Sequence, residues 1–298
     1  MSDPIRYRAT HVTRYLYGQP VSQCLSEARL TPLSSSRQRL LDFHLAIDTA
    51  PAMLDRRLDY FGNEVHALSI SQTHQRFAIT AVSTIEMLPP DPAPLPGISW
   101  EDTRALLAAH PDDASLAAYE FTFQSPFVTL LPELEDWARP SFQPRRPVVE
   151  VVQELSRRVH DEFVYRPKST TIDMPLAEVF KNRLGVCQDF AHILIGALRS
   201  FHLAARYVSG YLRSDAEYQG AEASHAWVSV FVPGYGWLDL DPTNRVIPRQ
   251  GHVTVALGRD YGDVTPVKGV ALGGETQAVE VEVKVLREQS LQAPAATV

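Results

Sequence analysis

Apolar and polar residues alternate through most of the first third of the chain. Asp42-Phe43-His44-Leu45-Ala46-Ile47-Asp48, Val65-His66-Ala67-Leu68-Ser69-Ile70 and Phe77-Ala78-Ile79-Thr80-Ala81-Val82-Ser83-Thr84-Ile85 all carry this period of two. It marks half-buried antiparallel strands. The opening Arg6–Tyr15 stretch is rich in β-branched and aromatic residues, and Phe61-Gly62-Asn63-Glu64 reads as a turn between strands. Residues 1–88 are therefore expected to form a small β-sandwich. The proline-rich stretch 89–97 can continue neither a helix nor a central strand, so it reads as a stiff linker.

The pattern then turns helical. Trp100–Ala109 and Thr129–Trp137 suit short helices, and Val148, Val151, Val152, Leu155 and Val159 recur at helical spacing. Pro175–Arg183 is a further short helix, with Asp173 as its expected N-cap. From Cys187 onward, Phe190, Ala191, Ile193, Leu194, Ala197 and Leu198 cover nearly the whole helical circumference. This predicts a buried central helix. Strands follow over Ala204–Leu212 and Ser224–Val232, separated by a polar loop at 213–223, and another runs from Leu238 to Asp241 after the Gly234–Trp237 turn. Residues 98–265 thus read as a second, α+β domain, with a central helix on an antiparallel sheet. Residues 266–298 form a C-terminal extension: Gln277–Val285 alternates strictly as a strand, and residues 292–298 suit a disordered tail.

Composition narrows the options. A chain of 298 residues fits about two domains. A formal net charge of -7 argues against a nucleic-acid backbone or an anionic membrane as the main partner. No run approaches the ~20 apolar residues of a membrane span. The N-terminus enters strand-like sequence without the apolar core of a signal peptide, so a cytoplasmic location is expected. The two cysteines, Cys24 and Cys187, make neither a disulfide framework nor a thiolate zinc site. Cys24 reads as a small buried apolar residue. No Asp-x-Asp-x-Asp-Gly loop is present, so neither calcium nor any other metal or cofactor is expected.

Three residues carry candidate chemistry. Cys187 falls in the first turn of the central helix, where unpaired N–H groups and the helix dipole favour a thiolate and could also stabilise an oxyanion. His225 opens a strand that can aim its ring at that helix terminus. Asp241 lies at the end of the next strand, before Pro242-Thr243, where its carboxylate can reach the imidazole and fix its tautomer. It is chosen over Asp239 because of that strand-end position. Taken singly, each has a structural reading: a small core residue, a hydrogen-bonded strand histidine, a turn-capping acid. His192 and His202 read as packing or surface residues.

Gly-Val-Cys-Gln-Asp-Phe-Ala at 185–191, Ala-Arg-Tyr-Val-Ser-Gly-Tyr at 205–211, Ser-His-Ala-Trp at 224–227 and Gly-Trp followed by Asp-Pro-Thr at 236–243 together resemble the transglutaminase-like superfamily core, a branch of the papain-like cysteine enzymes. Thr10–Tyr15 and Asp59-Tyr60-Phe61-Gly62-Asn63 resemble the N-terminal β domain of its bacterial members. The resemblance implies a Cys187–His225–Asp241 triad and acyl transfer through a thioester. The substrate class is then a peptide or protein amide, as in bacterial relatives regarded as cysteine proteases. Hydrolysis by a peptidase or amidase is the leading expectation. Amine transfer, as by a protein-glutamine γ-glutamyltransferase, is the alternative, and a peptide-binding module without catalysis is a third reading. Animal transglutaminases use a tryptophan indole as oxyanion donor, but no tryptophan lies between Trp137 and Cys187. Tyr165 is the candidate in its place and Gln188 a weaker one. Asp260 and Tyr261, in the Gly258–Val264 loop, are candidate substrate contacts.

Overall fold

In the computed structural model, which describes residues 3–89 and 94–288, five strands open the chain. These are β1 (Ile5–Ala28), β2 (Gln38–Ile47), β3 (Met53–Leu58), β4 (Glu64–Ile70) and β5 (His74–Met87). Residues 90–93 of the expected linker, and the expected disordered tail at 292–298, lie outside the described residues.

The helical part contains α1 (Trp100–Ala109), α2 (Asp113–Tyr119), α3 (Pro132–Ala138) and α4 (Val148–Glu162). Two short strands, β6 (Val164–Tyr165) and β7 (Leu184–Gly185), pair in parallel on either side of α5 (Leu176–Asn182). Pro175, not Asp173, holds the N-cap position of α5, because its fixed φ already suits a helix start. Next come α6 (Cys187–Arg199), β8 (Ala205–Leu212), β9 (His225–Val232), β10 (Gly236–Leu240), β11 (His252–Gly258) and α7 (Tyr261–Val264). Strands β10-β9-β8-β11 form an antiparallel sheet in that order. Helix α6 packs across it, and every residue from Asp189 to Arg199 is buried. Such an all-round apolar helix can exist only inside a core. The charge of Arg199 is tolerated there because its guanidinium donates to the carbonyls of Ala205 and Arg259 and to Ser125 Oγ.

The last two strands, β12 (Val267–Gly273) and β13 (Gln277–Arg287), leave this half and return to the first sheet. Strand β13 pairs with Tyr7–Tyr17 of β1, and β12 with Val21–Ala28. On the other edge of β1, β5 pairs along Ile5–Leu16 and β4 along Cys24–Ala28. The order is thus β2-β5-β1-β13 before residue 17 and β3-β4-β1-β12 after residue 21. These two halves share β1, which bends between them, and their apolar faces meet through Leu68 and Ile70 on one side and Phe77 and Ile79 on the other. The β-rich region is therefore one curled, hydrogen-bonded sheet. The two separate layers of a sandwich are replaced because β1 is long enough to serve both, and the C-terminal strands complete it.

The two halves of the chain are tightly joined. Tyr211, Val253 and Val255 of the second sheet pack against Tyr7, Ile85 and Val283. Asn63 pairs with the backbone of Leu257 through both its amide groups, each at 2.8 Å, and so caps the free edge of β11.

Candidate active site

Cys187 is the first residue of α6. The residue before it, Val186, is extended, and its N–H donates to Asp189 Oδ2 at 2.8 Å, so the helix start is closed by its own third residue. Thr170 Oγ1 donates to the same oxygen at 2.7 Å. Asp189 packs so closely under the turn that a Cβ on Gly185 would lie 2.7 Å from its Cβ, which is why glycine precedes the nucleophile candidate. Cys187 itself is partly exposed and its thiol is free. The amides of this first turn have no intrahelical acceptor and point at whatever approaches the sulfur.

His225 is the first residue of β9, and Asp241 follows the last residue of β10. Both are buried, and His225 Nε2–H donates to Asp241 Oδ2 at 2.9 Å. A carboxylate only accepts, so the ring proton sits on Nε2 and Nδ1 is left for the thiol side. Nδ1 has no hydrogen-bond partner among the described residues. Burial works against a charged ring, but the charge and hydrogen bond of Asp241, and then the charge of Cys187, overcome it. The pKa of His225 is pushed up to about 10.

Asp241 is saturated with donors. Besides His225, its Oδ2 accepts from His252 Nε2 at 3.0 Å and from Asn244 Nδ2 at 2.8 Å, while Oδ1 accepts the amides of Thr243 and Asn244. Burial alone would raise its pKa. The charge and hydrogen bond of His225, with those of His252, instead hold the carboxyl well below the usual range. Asp239, two residues earlier, is held by Arg37, just before β2, at 2.6 Å.

The other candidates separate. A Cβ on Gly220 would lie 2.9 Å from His225 Nδ1 and 3.3 Å from the Tyr165 hydroxyl, so the Tyr165 hydroxyl and the His225 ring flank one loop residue. Burial first, and then the charges of Cys187 and Asp241, push the Tyr165 hydroxyl up to about 12, so it is a proton donor at neutral pH. Gln188 turns its amide to the carbonyl of Ile172 at 3.2 Å, away from the first-turn amides. Asp260 is buried and accepts the amides of Phe127 and Gly262, both at 2.9 Å. Its carboxylate caps a turn, so it is engaged in holding the loop. Tyr261 is half-buried, and its amide donates to His192 Nε2 at 3.2 Å, placing it beside α6. Cys24 is buried and bonds Ser26 at 3.2 Å.

Sequence reasoning missed His252, Asn244 and Gly220. Asn244 had a signal, since a turn following Asp241 through Pro242-Thr243 folds back on its carboxylate. His252 had none, because its strand lies two positions across the sheet.

No helix among the described residues is long and apolar enough to cross a membrane. The Bacterial transglutaminase-like N-terminal region matches residues 7–86, and the Transglutaminase-like superfamily core matches residues 135–242. An uncharacterized protein of Mycobacterium tuberculosis is 39% identical over 300 residues, spanning 96% of this chain and 94% of its own. A protein-glutamine γ-glutamyltransferase of Pseudomonas aeruginosa is 32% identical over 113 residues, 35% of this chain and 17% of its own. The crystal structure of a "Putative Cysteine Protease from Cytophaga hutchinsonii" shares the fold, with a TM-score of 0.76 over 97% of this chain and 92% of that one at 19% identity. This chain belongs to the transglutaminase-like superfamily, with the bacterial N-terminal region joined to the core.

Proposed function

We propose that this protein hydrolyses peptide amide bonds, with Cys187 as nucleophile, His225 as acid and base, and Asp241 as the group that orients His225. The observation that carries the reading is the buried His225, bonded to Asp241 at 2.9 Å on one nitrogen and charge-coupled to Cys187. The thiolate attacks the carbonyl carbon, and the oxygen takes up the displaced electron pair. In this reading the Cys187 amide and the Tyr165 hydroxyl donate to that oxyanion. As it collapses, the C–N bond breaks, and the His225 proton goes to the departing amine. A thioester remains. Water then attacks it while His225 takes up a proton, releasing the acid and restoring the thiolate. Both cysteines are free thiols, which suits a reducing, cytoplasmic setting.

Mass spectrometry of a peptide library incubated with wild type and with Cys187→Ala tests this. Cleaved products are expected only with wild type. Cleavage by both, or by neither, would sink the proposal. Amine transfer is the second reading, favoured by the similarity to the Pseudomonas aeruginosa protein-glutamine γ-glutamyltransferase. Monodansylcadaverine incorporation without detectable hydrolysis would select it. If Cys187 reacts with iodoacetamide no faster than a free thiol, the binding-module reading gains instead.

A further inference from the structure

A cavity of about 450 Å³ opens inside the bend of the first sheet. This lies within the roughly 300–1,000 Å³ typical of small-ligand sites. Its floor is the inner face of β1: Thr13, Tyr15 and Tyr17 before the bend, Cys24 and Ser26 after it. Val267 of β12 and Val279 and Val281 of β13 form its walls. None of these belongs to the constellation around Cys187.

Its mouth, however, is built by the catalytic half. Ser224 immediately precedes His225. Ile172 offers its carbonyl to Gln188, the residue after Cys187. Tyr261 is bonded through its amide to His192 on α6, and the Phe127 ring lies against both Tyr261 and His192. Residues next to Cys187 and His225, in the chain or through hydrogen bonds, therefore line the cavity, close enough for a chain bound at the cysteine to place a side chain in it.

The lining says which kind. Among the described residues no Asp or Glu lines it, in a chain with 35 acidic residues against 28 basic ones. A cationic side chain would lose hydration there with no carboxylate to replace it. The one lysine at its edge, Lys268, has its Nζ 3.8 Å from Glu27 and is partnered already. What remains is aromatic and aliphatic surface, with hydroxyls, the buried neutral ring of His11 and the amide of Gln277 among it. Val279 and Val281 are 47% and 42% exposed, apolar area left uncovered among the described residues.

We infer that this cavity is a specificity pocket that binds a bulky, uncharged, aromatic side chain of the peptide substrate. The inference rests on the peptide-hydrolase reading. It gives the N-terminal sheet a direct part in substrate choice.

The test is an NMR titration of the Cys187→Ala protein with N-acetyl amides of phenylalanine, leucine, alanine and lysine. Saturable shifts at the amides of Tyr15, Val279 and Val281 are expected, strongest for phenylalanine and at least about tenfold weaker for lysine. Val281→Trp, at a half-exposed strand position, should abolish the phenylalanine shifts by filling the space. Val279→Asp should reverse the order in favour of lysine. Equal affinity for all four amides, or no response to either substitution, overturns the pocket. Peptide cleavage by wild type is scored separately. Aromatic binding without any cleavage refutes the hydrolase reading and leaves the pocket standing. Cleavage indifferent to aromatic residues refutes the pocket and leaves the hydrolase.

Discussion

His252 Nε2–H donates to Oδ2 of Asp241 at 3.0 Å, and this is the same carboxylate oxygen that holds His225. The two imidazoles respond in opposite ways. His225 is raised against its burial, first by the charge of Asp241 and then by that of Cys187. His252 is lowered, first by burial and further by the charge of His225, so it stays neutral. It adds a donor without adding a second positive charge. It is a positioning residue: it fixes the carboxylate that fixes the ring.

His252→Phe removes that donor and leaves the apolar volume. A hydrogen bond to a charged group contributes about 1.5–3 kcal/mol. If this is expressed in the transition state, kcat falls by roughly tenfold or more while KM changes little. The pH profile of kcat should shift with it, which a purely structural role would not produce. His252→Gln, which keeps an N–H, should recover part of the loss. A kcat equal to wild type in the phenylalanine variant would contradict the assignment.

The loop at 213–224 is held from three sides. Gln219 bonds Asn244, which in turn bonds Asp241. Ser214 pairs with Val285, and the carbonyl of Glu222 accepts from Val283 on β13. Gly220 sits within it at a φ of +86°. Gly220→Ala forces a side chain into a left-handed conformation that costs about 1–2 kcal/mol, and its new methyl would press on His225 Nδ1. Activity should fall far more than thermal stability. Full kcat/KM beside a lowered melting temperature would show that the loop does not govern the ring.

Tyr165→Phe isolates one hydroxyl. A single oxyanion donor is typically worth about 10²–10³ in kcat. A drop of about 10² with unchanged binding of a substrate peptide to the Cys187→Ala background is the expected result. An unaltered kcat would assign Tyr165 to packing alone, with its ring against Phe190.

Much of this was legible in the sequence. The apolar circumference of α6 announced a buried helix, and the period of two announced the strands, because burial on one face leaves a periodic trace. The local seats of Cys187, His225 and Asp241 could be read for the same reason. Pairing partners leave no such trace. Nothing in Gln277–Val285 says that it pairs with Ala9–Tyr17, so the curled sheet and the cavity in its bend emerged only from the structure. The same holds for Asp239, whose partner Arg37 lies about two hundred positions away in the chain, and for Asp260, whose loop position suggested a substrate contact although its carboxylate is buried under backbone amides.

Two further histidines set the acid behaviour of the fold. His192 accepts the Tyr261 amide on Nε2, so that nitrogen must stay unprotonated; burial, aided by the charge of Arg199, lowers its pKa to about 3. Burial likewise lowers His11 to about 4. In the unfolded chain both titrate near ~6.5. Below that pH the unfolded state binds protons that the folded state refuses. Their contribution to stability is therefore complete above ~6.5 and is lost as pH falls toward the folded values, at up to about 1.4 kcal/mol per pH unit for each ring. His225 acts in the opposite sense: raised when folded, it stabilises most below ~6.5 and loses that contribution as pH climbs toward about 10. The raw slope mixes the two, so the variant is the diagnostic. His192→Gln keeps an acceptor for Tyr261 and removes the titration. Urea unfolding at pH ~7 and ~5.5, above the range where most carboxylates titrate, should show the variant losing less stability on acidification than wild type, by about one proton's worth of slope. An identical loss in both proteins would mean that His192 takes up its proton without cost in the folded state.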